Sequence, residues 1–424
     1  MVLTMNLWGD FDNQHTPVAS ARHKSARRLT EQGILSSVRQ WLVQDYTLAY
    51  CRSLAAVRIY RRCYWIDAWG IGRERSEIGS AESPHESVLQ PILSLSQALA
   101  HESRPIALNG FVLAAGSSKR KEGRAVLNGN TETEDHSPSS RVKASLLKHA
   151  TVHASWLEIG PVLLKEIEHS PAFFLLNPFG HTLFTYDDLA PLYQRTSAPT
   201  ELCLLVPHKQ VELHLMAALH TAASASALTA LLRTDRWKTL LPKGEVAAET
   251  KEIGHSLDGV IDLLLTSVQQ HFPWVQRIAL PVQVRPTLVE TAPYTLLFAT
   301  RSKDSLVSMN DALCAYRRRL HRQSRQGVLG EEWFATQEQE RLAGEIQQLC
   351  QRTLQLGQFQ RPRRWSDLRQ QLLLANFGQF TLDEYDEVIG TLLRQGNVLC
   401  EWRRRPLEDE ERRIPGNEDT LLWK

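Results

Sequence analysis

The stretch RCYWIDAWGIG, Arg62–Gly72, decides the fold. It reads as a strand that ends in an acid, Asp67, and runs into a glycine turn. In doubly wound folds a ligand sits outside the carboxyl ends of the strands, near the point where strand order reverses. Two glycines one residue apart, Gly70 and Gly72, let a backbone turn sharply and approach a ligand. An acid just before them can hold an amino group or a water beside a bound cofactor. D-x-x-G-x-G therefore has two readings: the loop of a nucleotide or adenosyl site, or a plain strand end with a turn.

Outward from this strand, helix and strand patterns alternate at short spacing. Leu29, Ile34, Leu35, Val38, Trp41 and Leu42 recur at threes and fours, which predicts a helical lead-in from Ser25 to about Leu54. Ser87–Leu99 reads as a helix and Ile106–Ala115 as a second buried strand. Gly116–Arg141 is polar and low in apolar residues, so it reads as a mobile loop. Strands follow at Ala150–Ala154, Ala172–Leu176 and Glu201–Val206, with helices at Ile159–Ile167 and Tyr186–Tyr193 between them. Residues 211–250 tend to helix, and Ser256–Gln270 is a well-formed helical pattern. Two late strands, Arg277–Val284 and Tyr294–Thr300, precede a helix through Leu320. Continuously apolar strands alternating with helices predict an α/β, doubly wound, Rossmann-like sheet covered on both faces, over residues 26–325.

Residues 1–25 are polar and irregular. From Glu331 the composition shifts to Gln, Arg and Leu. Glu331–Leu356, Trp365–Asn376 and Thr381–Arg394 read as helices, and Gly396 stops the last of them. Short strands at Val398–Trp402 and Thr420–Trp423 complete the parts of a winged helix, so 331–424 is expected to be a helical, winged-helix domain.

The totals exclude several classes. A formal net charge of +2 leaves any nucleic-acid role to local patches. No apolar stretch is long enough to cross a bilayer, and the N-terminus lacks the basic-then-apolar order of a signal peptide. A cytoplasmic protein without a membrane partner is expected. The six cysteines are scattered, with no pair at metal-clip spacing, so no metal site is expected and burial in a reducing compartment is the simplest reading. No nucleophile elbow, Walker loop or HExxH motif occurs.

A second constellation is FFLLNPFG, Phe173–Gly180. Proline pushes the residue before it into an extended conformation, which would aim the Asn177 amide into the crevice. Enzymes that methylate amino groups of nucleic acids carry an Asn/Asp-Pro-Pro-aromatic turn at such a place. Here Phe179 stands where the second proline would be, and Gly180 where the aromatic would be. The other reading is a plain strand-to-turn exit. A nucleotide ribose is usually gripped by an acid at the end of the second strand, but here that strand ends Leu113-Ala114-Ala115-Gly116. The third strand leads into Ala154-Ser155-Trp156, with Glu158 as the nearest carboxylate.

The order of these pieces resembles the three-Cys-motif partner proteins (TcmP). The matching segments are the helical lead-in, YWIDAWGIG, FFLLNPFG and YTLLFATRS at Tyr294–Ser302, and the C-terminal piece is similar to the winged helix that often ends such proteins. The resemblance implies a fold like that of S-adenosylmethionine-dependent methyltransferases and a partner with three cysteines, similar to radical-SAM proteins. It implies that Asp67, Gly70 and Gly72 line a site for S-adenosylmethionine and that Asn177, Pro178 and Phe179 face the substrate as the catalytic turn. Three departures stand out: Trp69 in place of a small residue, Asn177 in place of an acid, and no acid after the second strand.

Basic clusters give a candidate nucleic-acid track. Arg317, Arg318, Arg319 and Arg322 lie in YRRRLHRQSR, and Arg403, Arg404 and Arg405 form the tip between the last strands. Guanidinium forks fit phosphate oxygens; the alternative is a solvated helix face. The last helix opens with Asp383, Glu384, Asp386 and Glu387, which would repel phosphate in a groove, so Arg403–Arg405 are the better contact. Two functions remain open. One is a methyltransferase-like enzyme acting on nucleic acid or a partner-bound substrate. The other is a non-catalytic scaffold that docks a three-Cys protein.

Overall fold

A computed structural model describes residues 31–71, 84–114, 149–180, 182–241, 250–285, 288–325, 330–403 and 414–424. The expected irregular N-terminus, the expected mobile loop over 116–141, and Gly72, Arg404 and Arg405 lie outside the described residues.

The lead-in is α1 (Glu31–Trp41), a π-helical segment (Leu42–Thr47) and α2 (Leu48–Val57). Strand β1 (Arg62–Ile71) follows, running four residues past Asp67. Next come α3 (Pro84–Ala100), β2 (Ala107–Ala114), β3 (Ala150–His153), α4 (Trp156–Glu166), β4 (Ala172–Leu176), α5 (Tyr186–Gln194) and β5 (Thr200–Pro207). Then α6 (His208–His220), α7 (Ala222–Leu232), α8 (Thr250–Gln269), β6 (Trp274–Arg285), β7 (Leu288–Thr300) and α9 (Lys303–Arg325) complete the larger part. The C-terminal part is α10 (Glu331–Gln360), α11 (Trp365–Ala375), α12 (Leu382–Arg394), β8 (Val398–Glu401) and β9 (Thr420–Trp423).

Seven strands form one sheet in the order β3-β2-β1-β4-β5-β7-β6. The first five are parallel, and β7 runs antiparallel to both β5 and β6. Order reverses between β1 and β4, which pair with Ala68 opposite Leu176. Every residue of β4 and β5 is buried, as strands covered on both faces require.

Each face of the sheet has its own core. One gathers Trp41, Tyr46, Trp65, Phe173 and Phe298 under α1, α2, α3 and α9. There Trp65 stacks on Phe173 with ring centroids 4.2 Å apart. The other gathers Ile66, Phe111, Phe174, Leu204 and Leu264 under α4 to α8. Alternation along β1 sends Cys63 and Trp65 to the first core and Tyr64, Ile66 and Ala68 to the second.

Among the described residues the C-terminal part has no separate core. Leu349, Trp365, Tyr385, Ile389, Val398 and Leu421 are continuous with the first core. Asn310 of α9 is the main polar seam. Its Nδ2 donates to the Phe380 carbonyl at 2.7 Å, and its Oδ1 accepts from Gly378 N at 2.8 Å. Gly378 has φ +72°, and a Cβ there would collide with Leu313.

Among the described residues no helix is long and apolar enough to cross a membrane. Four cysteines, Cys51, Cys63, Cys203 and Cys314, are buried, and Cys350 and Cys400 are half-buried.

Candidate functional site

Where the regular pairing of β1 with β2 breaks off, four residues before the strand ends, Asp67 is fully buried and faces the α1 side. Arg39 of α1 closes on it, with Nε 2.6 Å from Oδ2 and Nη2 3.3 Å from Oδ1. Oδ1 also accepts from the backbone N–H of Trp69 at 3.1 Å. Both carboxylate oxygens are therefore in use. A fork-on-fork pair of this kind fixes orientation as well as charge. Gly70 lies within the strand, and Trp69 is half-buried against the edge of Tyr294 on β7, ring centroids 6.1 Å apart.

The Asn177-Pro178-Phe179-Gly180 turn leaves β4 beside the end of β1. Asn177 is buried, and its Oδ1 accepts from Phe179 N at 3.0 Å, a local turn that Asn forms readily. Its Nδ2 donates to Gln210 Oε1 at 2.8 Å. Gln210 stands in the first turn of α6, delivered by the adjacent β5. The ring of Phe179 is fully buried in the second core beside His214, whose Nε2 lies 3.1 Å from the Gly180 carbonyl oxygen. Pro178 is buried and its carbonyl accepts from Phe184 N at 3.0 Å. The turn thus bonds within itself, to the loop that follows it and to α6 through every polar group named here.

The carboxylate nearest the third strand has a local task. Glu158 Oε2 accepts from Ser155 N at 2.8 Å, closing a capping box at the start of α4. The second strand, followed to Ala114, carries no acid at its carboxyl end. Its neighbour His149 accepts from Gly110 N at 3.0 Å through Nδ1, and burial lowers the imidazole pKa.

No family model, curated protein or solved structure matches this chain. The residues alone carry the functional argument.

The basic cluster of α9 is largely spent inside the chain. Arg319 grips Asp45 of the π-helical segment with both nitrogens, at 3.1 and 2.6 Å. Arg318 grips Glu384 at the start of α12, at 2.8 and 2.7 Å. Arg317 donates to the Gly378 carbonyl at 2.9 Å, and burial lowers its pKa. Arg322 is exposed, as is Arg403, which lies 3.4 Å from Glu418. The acids that open α12 are divided in the same way. Glu384 faces α9, and Asp386 accepts from Trp365 Nε1 and Arg369 Nη1, both at 2.7 Å. Asp383 and Glu387 are exposed.

Sequence reasoning missed Arg39, Gln210 and His214. Arg39 sits beside Val38 in an apolar helical stripe and carries no motif. Gln210 had a weaker signal: a residue just after β5 must lie near the end of β4 once the two strands are neighbours.

Proposed function

We propose that this chain is a scaffold resembling the three-Cys-motif partner proteins: a methyltransferase-like, Rossmann-like domain joined to a winged helix, with its cofactor crevice closed by internal bonds. Its task is to dock a three-Cys, radical-SAM-like protein near nucleic acid. The observation that carries the reading is the buried Asp67 carboxylate, held by Arg39 and the Trp69 N–H.

The sheet order, with its antiparallel seventh strand, supports the methyltransferase-like assignment. Helices α10 to α12 followed by the β8–β9 pair support the winged helix. The start of α12 is docked on α9 through Glu384, which favours a protein-packing role for that helix over entry into a DNA groove. S-Adenosylmethionine does not fit the described residues well. Its ribose and amino group need exposed acceptors, yet Asp67 is buried under Arg39 and β2 ends without a carboxylate. No methyl-transfer step follows from these residues.

A second reading, a working methyltransferase, draws on one observation. Asp67 and Asn177 lie close to the point where adjacent parallel strands β1 and β4 stop pairing, the side on which doubly wound folds bind ligands. Calorimetric titration with S-adenosylmethionine and S-adenosylhomocysteine separates the two. The scaffold reading expects no saturable heat at millimolar ligand. Saturable binding that is lost in Asp67→Asn would overturn it in favour of the enzyme.

A further inference from the structure

An open cleft of about 700 Å³ lies between α9 and α10 and is floored by the loop from Gly378 to Phe380. Five guanidinium groups and two carboxylates line it. The pairing inside the cleft is uneven. Arg341 pairs with both Glu338 and Glu345, and Arg318 is neutralised by Glu384. Arg317, Arg322 and Arg352 have no carboxylate partner among the described residues. Arg317 is the most telling of the three: its charge is partly buried, and its bond is to a neutral carbonyl. A desolvated guanidinium of this kind is unfavourable unless an anion approaches it.

The positions of the charges say what kind of anion fits. The lining of α10 runs from Glu338 to Arg352, about 21 Å along the helix axis. Arg322 and Arg352 are exposed, and Arg317 lies deeper on the same wall as Arg322. These cations are strung along a groove rather than converging on one point, which suits a chain of phosphates better than a single one. The cleft is too small for a duplex. Phe380 is buried, which leaves the imidazole of His321 as the exposed ring in the lining, so contact would be chiefly with the backbone and not by base stacking.

We propose that the α9–α10 cleft binds the phosphate backbone of a single-stranded nucleic acid through Arg317, Arg322 and Arg352, without regard to base sequence. Arg352 was not among the residues that the sequence pattern singled out. Arg318 and Arg319, which were, serve the fold instead. The inference rests on the scaffold reading only for the nearness of nucleic acid. The calorimetry above tests the crevice and the titration below tests the cleft, so each can fail alone.

The test is fluorescence anisotropy of labelled 20-nucleotide single-stranded DNA and RNA, titrated with the full chain between 50 and 200 mM salt. The variants are Arg322→Ala/Arg352→Ala and Arg403→Ala, all at exposed positions, with circular dichroism as the fold control. The expected result is salt-dependent binding by the wild type and by Arg403→Ala. The double variant should bind at least tenfold more weakly at 50 mM salt, with its log–log salt slope reduced by roughly 1.4, as two lost phosphate contacts require. Absence of binding to both oligonucleotides, or an unchanged affinity in the double variant, would overturn the proposal. So would binding of polyglutamate in preference to the oligonucleotides, which would mark the cleft as a site for an acidic protein.

Discussion

Arg39 and Asp67 join the first helix to the first strand by two hydrogen bonds, 2.6 and 3.3 Å long, with Asp67 fully buried and Arg39 12% exposed. The pair makes the residue best suited to a cofactor into a fastening for α1. Removing one partner leaves the other charged and buried. Arg39→Ala should therefore cost about 3–5 kcal/mol in chemical denaturation. The double variant Arg39→Met/Asp67→Leu should be more stable than Arg39→Ala. A loss under 1 kcal/mol in the single variant would mean that solvent or another cation replaces Arg39.

Asn177 makes two bonds with different demands. Asn177→Ala orphans the buried Phe179 N–H and frees Gln210, and should cost about 1–3 kcal/mol. Asn177→Asp keeps an acceptor for Phe179, and Gln210 can turn its NH₂ towards the new carboxylate. It should be the milder change. Urea unfolding of the two variants decides the order; the reverse order would show that the Asn177 NH₂ group matters more than its oxygen.

Glu201 gives the fold a pH dependence. It is fully buried on β5, and burial raises its pKa to about 7, opposed by the hydrogen bond that Thr300 Oγ1 donates to its Oε1 at 3.1 Å. The folded chain keeps this proton while the unfolded chain, near 4.5, loses it. Stability from this group is thus full below about pH 4.5 and declines as pH rises to about 7, by about 3 kcal/mol in all. Glu201→Gln cannot ionise. The difference in unfolding free energy between wild type and variant should slope over that window and level off above it. A flat difference curve would place the carboxyl in contact with water.

Asn310 couples the C-terminal part to the sheet. Asn310→Ala leaves the Phe380 carbonyl and Gly378 N–H without their partner and should cost about 2–4 kcal/mol. Because the first core is continuous across the seam, the variant should still unfold in one transition, only earlier. Two resolved transitions in calorimetry would show that the C-terminal part folds by itself.

Gly378 supports the same seam. Gly378→Ala meets both a left-handed backbone at φ +72° and the side chain of Leu313. It should be destabilising by more than 1 kcal/mol, well beyond the effect of Gly344→Ala, which sits in open space on α10. Thermal unfolding of the pair checks the contrast.

Most elements were legible in the sequence, because each is written in a local period. The apolar run Phe173–Leu176 marks a covered strand, and the spacing of Ile34, Val38, Trp41 and Leu42 marks the lead-in helix. Ser155 and Glu158 were weighed in the sequence only as a stand-in for a nucleotide-gripping acid; the structure makes them the capping box that opens α4. The direction of β6 and β7 was not legible, since a strand pattern is the same read either way.

The chain alone determines that an acid lies in the first strand, that an asparagine follows the fourth, and that arginines crowd α9. Only the tertiary structure decides what those groups are for. Asp67 meets Arg39, 28 residues away; Arg319 meets Asp45, 274 residues away; and Arg318 meets Glu384, 66 residues away. A charge in a sequence names what it can bind but not its nearest opposite charge. That neighbour is set when apolar faces pack and bring distant helices together, because burial supplies most of the driving force and the ion pairs must form where it leaves them.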